Sequence, residues 1–361
     1  MKLLSRYIFL EFIRTAMMIL IGIVVLYLSV TFLKEADIFI QHKAGIVQIA
    51  RYYFFTIPAM ASQALPFAAL IGTLLSLGAL SRHQEVTAMR AGGMSMLRII
   101  APVLFGGLLF SAFGFMNNEV IMPASAARAS RIRNVEVEKK QEIVIFQQRR
   151  IWLRGPDNSI ANIDLVAPDR HELVGVNIFK LNPDFSVRER IKADKLVWEN
   201  DAWRLRDSRK FVISGTSVHA ETADGDIYNI VDKPEDMGMI IKSSEEMNFS
   251  ELWDYVRRLK NSGYKAVRYE VDLYGKTSAP FACLLMVMIA TPLSIQRARS
   301  GGAARSIALA VLIATIYWAL TSTGRALGTS GAVPPLEAAW LGNVIVAFAA
   351  LIAMARMQKQ M

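Results

Sequence analysis

Long apolar runs and short charged segments alternate along this chain, and the alternation predicts how the chain is organised. Six apolar runs of roughly 18–28 residues are each long enough to cross a hydrocarbon core as a helix. They cover residues 15–33, 52–79, 97–116, 271–295, 306–323 and 336–355. We therefore expect three membrane-spanning helices near the start of the chain and three near its end.

The polar region between the two groups of spans has a different pattern. A basic, helix-like stretch at 124–140 is followed by short segments rich in Val, Ile, Phe and Trp, which Gly, Pro, Asn and Asp separate. Predicted strands cover 143–154, 160–166, 175–181, 186–199, 203–206, 210–214 and 226–231. Many short strands at this spacing are typical of a β-sandwich or jelly roll. A helical pattern returns at 249–263.

These patterns predict an α-helical membrane protein with six transmembrane helices and an inserted β-jelly-roll domain. The expected domains are 1–122, with spans one to three, 123–270, with the jelly roll, and 271–361, with spans four to six. Lys and Arg are concentrated before the first span, between spans two and three, between spans four and five, and after the last span. By the positive-inside rule, both termini should be cytoplasmic and the β domain should be periplasmic.

A polar segment at 81–93 separates the second span from the third. Ser81 is predicted to cap a short helix with Gln84 three residues later, as in a capping box. Gly92 or Gly93 is predicted to end the helix in the left-handed conformation. At about 1.5 Å per residue the helix is far too short to span a membrane. On these residues alone it is either a solvated turn or a surface helix that another protein binds.

Composition narrows the class of protein. Hydrophobic residues make up 53% of the chain and charged residues only 20%, which fits an integral membrane protein with a polar domain. The formal net charge is +10, but many of the cations flank apolar runs, which indicates membrane topology and anionic lipid rather than nucleic acid. The single cysteine, Cys283, excludes an intrachain disulfide and a cysteine-based metal cluster. The first apolar run is predicted to be a retained span rather than a cleaved signal peptide.

Signals for enzymatic chemistry are poor. The four histidines are His42, His83, His171 and His219, and no two stand at the spacing of zinc ligands. The tripeptide that begins at Gly275 resembles the end of a phosphate-binding loop, but Glu270 stands where the first glycine of that motif is required. We expect no catalytic residue, no metal site and no cofactor, so any ATP hydrolysis must be performed by a partner.

Cations follow two of the spans on the side predicted to be periplasmic. A polar loop is predicted at 34–51, so Lys34 and Lys43 lie just after the first span. Arg128, Arg131 and Arg133 lie just after the third. Arg128 and Arg131 are three residues apart and share a face on a helix. They are either simple interfacial anchors or a ring that binds anionic head groups, since guanidinium and ammonium groups both bind phosphate.

Several motifs together resemble one family. They are Ser-Arg-Tyr-Ile at 5–8, Ser-(x)3-Glu-(x)3-Met-(x)-Ala-(x)-Gly at 81–93, Leu-(x)2-Tyr-(x)3-Leu-Lys-(x)-Ser-Gly at 252–263 and Thr-Pro-Leu at 291–293. With the arrangement of spans, they resemble the lipopolysaccharide-export permeases of the LptF/LptG family over nearly the whole chain. The Gly-(x)-Val-Pro-Pro turn at 331–335 is more similar to the LptG branch.

The resemblance implies roles for both polar sites. The segment at 81–93 is expected to be the coupling helix that docks on the cytoplasmic ATPase LptB. Its coupling residues would be Arg82, Glu85, Val86, Met89 and Arg90. The family's basic residues at the outer ends of spans one and three contact lipopolysaccharide, and the corresponding set here is Lys34, Lys43, Arg128, Arg131 and Arg133.

The resemblance also implies partners and a location. The chain would pair with its paralogue LptF and with two copies of LptB in the bacterial inner membrane. The complex would extract lipopolysaccharide from that membrane and pass it through LptC to the periplasmic bridge. A membrane-anchored scaffold or sensor with a periplasmic β ligand-binding domain is the alternative. It would not need a docking helix between the second and third spans.

Overall fold

The computed structural model describes residues 2–139, 151–155, 158–167, 171–182, 184, 186–214, 217–228, 243–261, 263–296 and 303–359. The portions of the predicted strands at 143–150 and 229–231 lie outside the described residues. The helices are α1 (Lys2–Gln41), α2 (Ile46–Arg82), α3 (Glu85–Ala91), α4 (Met96–Met116), α5 (Met122–Arg131), α6 (Phe249–Asn261), α7 (Val267–Gln296), α8 (Ala303–Thr329) and α9 (Pro335–Lys359). The π-helical segments Asn117–Ile121 and Ile132–Val137 follow α4 and α5.

Six of the described helices are long and apolar enough to cross a membrane, as the hydrophobic runs predict. They are α1, α2, α4 with its continuation, α7, α8 and α9. A helix satisfies the backbone N–H and C=O groups within its own segment, which the hydrocarbon core of a bilayer requires. The predicted fold class is confirmed as six spanning helices with an antiparallel β domain inserted between them.

The first two spans form a longer helical hairpin than predicted. The prediction of a polar loop at 34–51 is wrong, because α1 continues to Gln41 and α2 already begins at Ile46. The two helices are joined in this region by side chains, since the hydroxyls of Tyr52 and Tyr53 donate to the Glu35 carboxylate at 3.2 and 3.4 Å. These contacts stabilise helical structure beyond the apolar part of each span.

Close helix approach and buried hydrogen bonds hold the spans together. A Cβ atom on Gly72 of α2 would lie 2.7 Å from the Cβ of Ala16 of α1, so only glycine allows this approach. Between α8 and α9, the Tyr317 hydroxyl donates to the Asn343 side chain at 2.9 Å. Asn343 in turn donates to the Ser278 carbonyl at 2.6 Å. This chain of hydrogen bonds connects α7, α8 and α9 inside an otherwise apolar environment.

The described residues divide into two compact units. The first consists of Met1–Ile132, Ser244–Trp253 and Val267–Met361, and it contains the six spans. The second consists of Arg133–Ser243 and Asp254–Ala266, and it contains the β-sheet. The chain therefore leaves the helical unit twice and returns to it twice.

The second unit contains one six-stranded antiparallel sheet. Its strands are β1 (Ile151–Gly155), β2 (Ser159–Ala167), β3 (Glu172–Leu181), β4 (Val187–Glu199), β5 (Ala202–Ser214) and β6 (Ser217–Thr222), in sequential order across the sheet. One face is apolar and buried, and Trp203 is its largest fully buried side chain. The described connections are all between neighbouring strands. The Greek-key crossovers that define a jelly roll are not among them, so that finer connectivity stays a prediction.

The strand predictions differ from the structure at three places. The segments predicted at 203–206 and 210–214 form one strand, β5, with Asp207 at φ 51° between them. The strand β6 was missed, because it is short and its only apolar residues are Val218 and Ala220. Near the predicted strand at 226–231, Ile227 forms only an isolated bridge with Arg204. The local pattern identified strands well where one face was strongly apolar.

Candidate functional site

The polar segment between the second and third spans contains a short helix that begins later than predicted. Ser81 lies inside α2, where its hydroxyl donates to the Ile295 carbonyl at 3.4 Å, so the predicted N-cap is wrong. The helix α3 begins at Glu85, after Gln84 at φ 63°. At its other end Gly93 has a φ of 83°, the left-handed conformation that glycine adopts without steric cost.

Two apolar side chains anchor α3 to the protein. Val86 and Met89 are three residues apart, lie on one face and are 4% and 8% exposed. They belong to an apolar cluster that includes Phe12 of α1, Leu80 of α2 and Ile99 of α4. Val86 and Met89, two of the predicted coupling residues, therefore pack against the spans of this chain.

The polar residues in and just before α3 differ in their exposure. Glu85 is half-buried and lies close enough to Tyr7, at the start of α1, to interact with it electrostatically. Arg82, Thr87 and Arg90 are exposed. The surface open to another protein is thus formed by Arg82, Thr87 and Arg90, while Glu85 joins the segment to α1.

Two of the predicted lipid-binding cations lie at the level of one turn of α2. Lys34 of α1 is exposed, and the adjacent Glu35 binds Tyr52 and Tyr53. Arg128 of α5 is also exposed, and its guanidinium lies 5.4 Å from the centre of the Phe55 ring. Because residues 52, 53 and 55 follow each other within one helical turn, α2 brings these two cations to one part of the helical unit.

The other three cations are in different surroundings. Arg131 is exposed on α5, one turn beyond Arg128. Lys43 is exposed in the turn between α1 and α2, at a φ of 51°. Arg133 belongs to the second unit, and its Nε lies 3.2 Å from Glu138.

The helix α1 connects the two candidate sites. Tyr7 contacts α3 near one end of α1, and Lys34 is exposed near the other end. At about 1.5 Å per residue they are roughly 40 Å apart, which is close to the thickness of a bilayer with its head groups. The two sites therefore lie at opposite ends of one continuous helix.

Sequence reasoning missed the side chains that hold these sites in position. Tyr7, Glu35, Tyr52 and Tyr53 are polar groups at the ends of apolar runs, where an interfacial position is the ordinary interpretation. Only their contacts identify them. Among the described residues, no group of three or more His, Cys, Asp or Glu side chains is arranged to hold a metal ion.

A family model described as "Lipopolysaccharide export system permease LptF/LptG" matches residues 6–356. The chain belongs to the LptF/LptG family. The resemblance predicted from the motifs is confirmed, and the protein is a permease subunit of lipopolysaccharide export. With six apolar helices, it is a multi-pass protein of the inner membrane. The family is one of permeases rather than enzymes.

Individual relatives include both branches of the family. LptG of Escherichia coli strain K12 is 24% identical over 343 residues, which cover 94% of each chain. LptG of Haemophilus influenzae is 20% identical over 265 residues, or 73% of each chain. LptF of Escherichia coli strain K12 is 20% identical over 306 residues, which cover 82% of this chain and 79% of the relative. The LptF/LptG family thus includes two paralogous permeases that both resemble this chain.

Proposed function

We propose that this chain is the LptG-type subunit of an ATP-driven lipopolysaccharide exporter. In this proposal it pairs with the paralogue LptF, and two copies of the ATPase LptB supply the hydrolysis of ATP. The complex extracts lipopolysaccharide from the inner membrane and passes it through LptC to the periplasmic bridge. The similarity to LptG relatives and the turn at 331–335 support the choice of branch.

The observation that carries the proposal is the short helix α3 between two spans. It is anchored by the buried side chains of Val86 and Met89, whereas Thr87 and Arg90 are exposed, as is Arg82 at the end of α2. A helix held in this way transmits a push from a bound partner to the spans, because its anchors are buried among them. Of the predicted coupling residues, Arg82 and Arg90 are assigned to the docking surface, and Glu85, Val86 and Met89 to transmission.

The orientation in the membrane belongs to the same proposal. The excess of Lys and Arg near α3 and both termini supports a cytoplasmic position for these parts and a periplasmic position for the β domain. Cysteines at positions 90 and 158, in a Cys283→Ser background, should react with an impermeant thiol reagent from opposite sides. Labelling of both from outside would refute the orientation.

Docking of the ATPase is tested by reversing one exposed charge on α3. Arg90→Glu should reduce copurification of LptB with the full complex and leave the assembly of the two permeases intact. Arg98→Glu is the matched control, because Arg98 is also exposed but lies on α4, beyond the docking helix. Equal recovery of LptB with wild type and both variants would refute docking on α3.

The substrate role of the cations needs a separate measurement. In the proposal, Lys34, Lys43, Arg128 and Arg131 bind the phosphates of lipid A at the periplasmic end of the spans. A photocrosslinking amino acid at position 34 should crosslink to lipopolysaccharide in the intact complex. Lys34→Asp combined with Arg131→Asp should weaken lipopolysaccharide binding while the ATPase still docks, since close charge-assisted contacts contribute about 1.5–3 kcal/mol each.

The outcome separates substrate binding from membrane anchoring. Anchoring residues would change the yield of inserted protein but not lipopolysaccharide binding per inserted molecule. Arg133→Asp is a control, because Arg133 already pairs with Glu138 and lies in the other unit. Normal binding by the double variant would contradict the substrate role.

A further inference from the structure

Three cations form a compact strip on the exposed face of the sheet. We call Arg190 and Lys192 of β4 and Arg209 of β5 the basic strip. Ile191 and Ala193 are buried in the apolar core of this unit, so the alternating residues between and beside them point to the opposite face. All three cations are exposed.

The register of the sheet places two of these charges face to face. Lys192 is directly opposite Arg209 in the pairing of β4 with β5. Like charges in directly opposed positions destabilise a sheet. Within the described part of the chain, neither of them nor Arg190 has an ion-pair partner. The pairing of Lys192 with Arg209 is therefore less favourable for folding than a pairing of two neutral side chains would be.

The neighbouring cations on the same strands are neutralised. Lys195 lies 3.6 Å from Glu172, and Arg206 lies 2.6 Å from Glu199. The three members of the basic strip differ from these two cations, because none of the three has an ion-pair partner among the described residues. With strands about 5 Å apart and alternate residues about 7 Å apart along a strand, the strip has the size of one or two phosphate groups.

Aromatic rings lie beside the strip and hold one of its members. The Arg190 guanidinium lies 5.5 Å from the centre of the Phe179 ring and donates to the Asn177 side chain at 3.2 Å. Trp152 stacks on Phe179 with ring centres 6.2 Å apart. Both partners of Arg190 are neutral, so its positive charge is oriented but not compensated. Rings of this kind pack against the C–H faces of sugars, and guanidinium binds phosphate bidentately.

We propose that the basic strip binds the phosphorylated saccharide head group of lipopolysaccharide. This inference rests on the proposed transport function and adds a second head-group site, in the β unit, to the cations of the spans. The paired charges around the strip favour a discrete phosphorylated ligand over a broad anionic membrane surface. The adjacent aromatic pair favours a saccharide over an acidic protein.

The test places a photocrosslinking amino acid at position 222 in the intact, membrane-embedded complex. Thr222 is exposed and directly opposite Arg209 in the pairing of β5 with β6, so none of the three cations is altered. Position 200, in the exposed turn between β4 and β5, is the control site. The probes are lipopolysaccharide and the same lipopolysaccharide after phosphatase treatment.

We expect a lipopolysaccharide crosslink at position 222 that falls about tenfold or more with Lys192→Gln plus Arg209→Gln, and also after dephosphorylation. Arg206→Gln, which removes a paired cation from the same strand, should leave the crosslink unchanged. Lys192→Gln alone should raise the melting temperature, because it removes a like-charge contact. A gain in stability together with a loss of binding is not expected of a structural residue.

Two results would overturn the proposal. The first is the absence of a lipopolysaccharide crosslink at position 222 when position 34 still crosslinks, which would leave the transport proposal intact. The second is a crosslink at position 222 to phospholipid or to a protein in place of lipopolysaccharide. Failure at both positions would remove the substrate role of the spans together with that of the strip.

Discussion

The anchoring of α3 can be tested by shortening Met89 to alanine. Met89 is 8% exposed and is one of only two buried side chains in this helix. Truncating a buried Met costs about 2–5 kcal/mol in well-packed cores. A helix as short as α3 is not stable by itself, so the loss should appear as local opening rather than as global unfolding. A loss of about 3 kcal/mol would raise the open fraction by about two orders of magnitude.

Hydrogen exchange of the segment 84–95, followed by mass spectrometry, measures how often α3 opens. Exchange of these amides should accelerate about a hundredfold in Met89→Ala, and stimulation of transport by ATP should fall with it. Thr87→Ala should not change exchange, because Thr87 is exposed. Met89→Leu should restore slow exchange, since this substitution nearly conserves volume and costs less than about 1.5 kcal/mol. Unchanged exchange in Met89→Ala would refute the anchoring role.

Three further substitutions test the packing of each unit. Gly72→Ala should lower the yield of folded protein, because the new methyl group would clash with Ala16 of α1 and reduce stability by about 1–3 kcal/mol. Gly22→Ala is the control and should not change the yield, because the space around Gly22 is open. Tyr317→Phe should lower the melting temperature in detergent by removing the donor to Asn343, at about 0.5–1.5 kcal/mol. Burial by itself raises the pKa of Glu189. The positive charges of Lys180, Lys210 and Arg188 have a larger effect and hold this pKa below the ordinary 4.5. Ionised Glu189 therefore stabilises the fold at pH values above 4.5. The difference in melting temperature between wild type and Glu189→Gln should shrink as the pH falls below 4.5.

The positions of the spans could be predicted because insertion into hydrocarbon depends on a local stretch of about 20 residues. Most strands could be predicted for the same reason, because the alternation of apolar and polar residues that marks a buried face is also a local pattern. This locality also explains the failure at the first hairpin. Polar residues near Glu35 suggested a loop, but the contacts of Tyr52 and Tyr53, distant in sequence, stabilise helix there.

The coupling segment shows the limit of periodicity. The spacing of Val86 and Met89 correctly indicates that they share a face, because residues three apart on a helix are neighbours. Periodicity does not say whether such a face meets a partner, lipid or the same chain. That these two side chains are anchors follows only from their burial among α1, α2 and α4.

By itself, the sequence determined the six spans, the inserted β region, the glycine-terminated helix between the second and third spans and the family. These follow from composition and spacing within short segments, and from motifs that are read locally. The tertiary structure alone decided that Arg133 pairs with Glu138, that Glu85 meets Tyr7 and that Lys192 faces Arg209. Such pairings depend on strand register and helix packing, which join residues through contacts that no local pattern encodes.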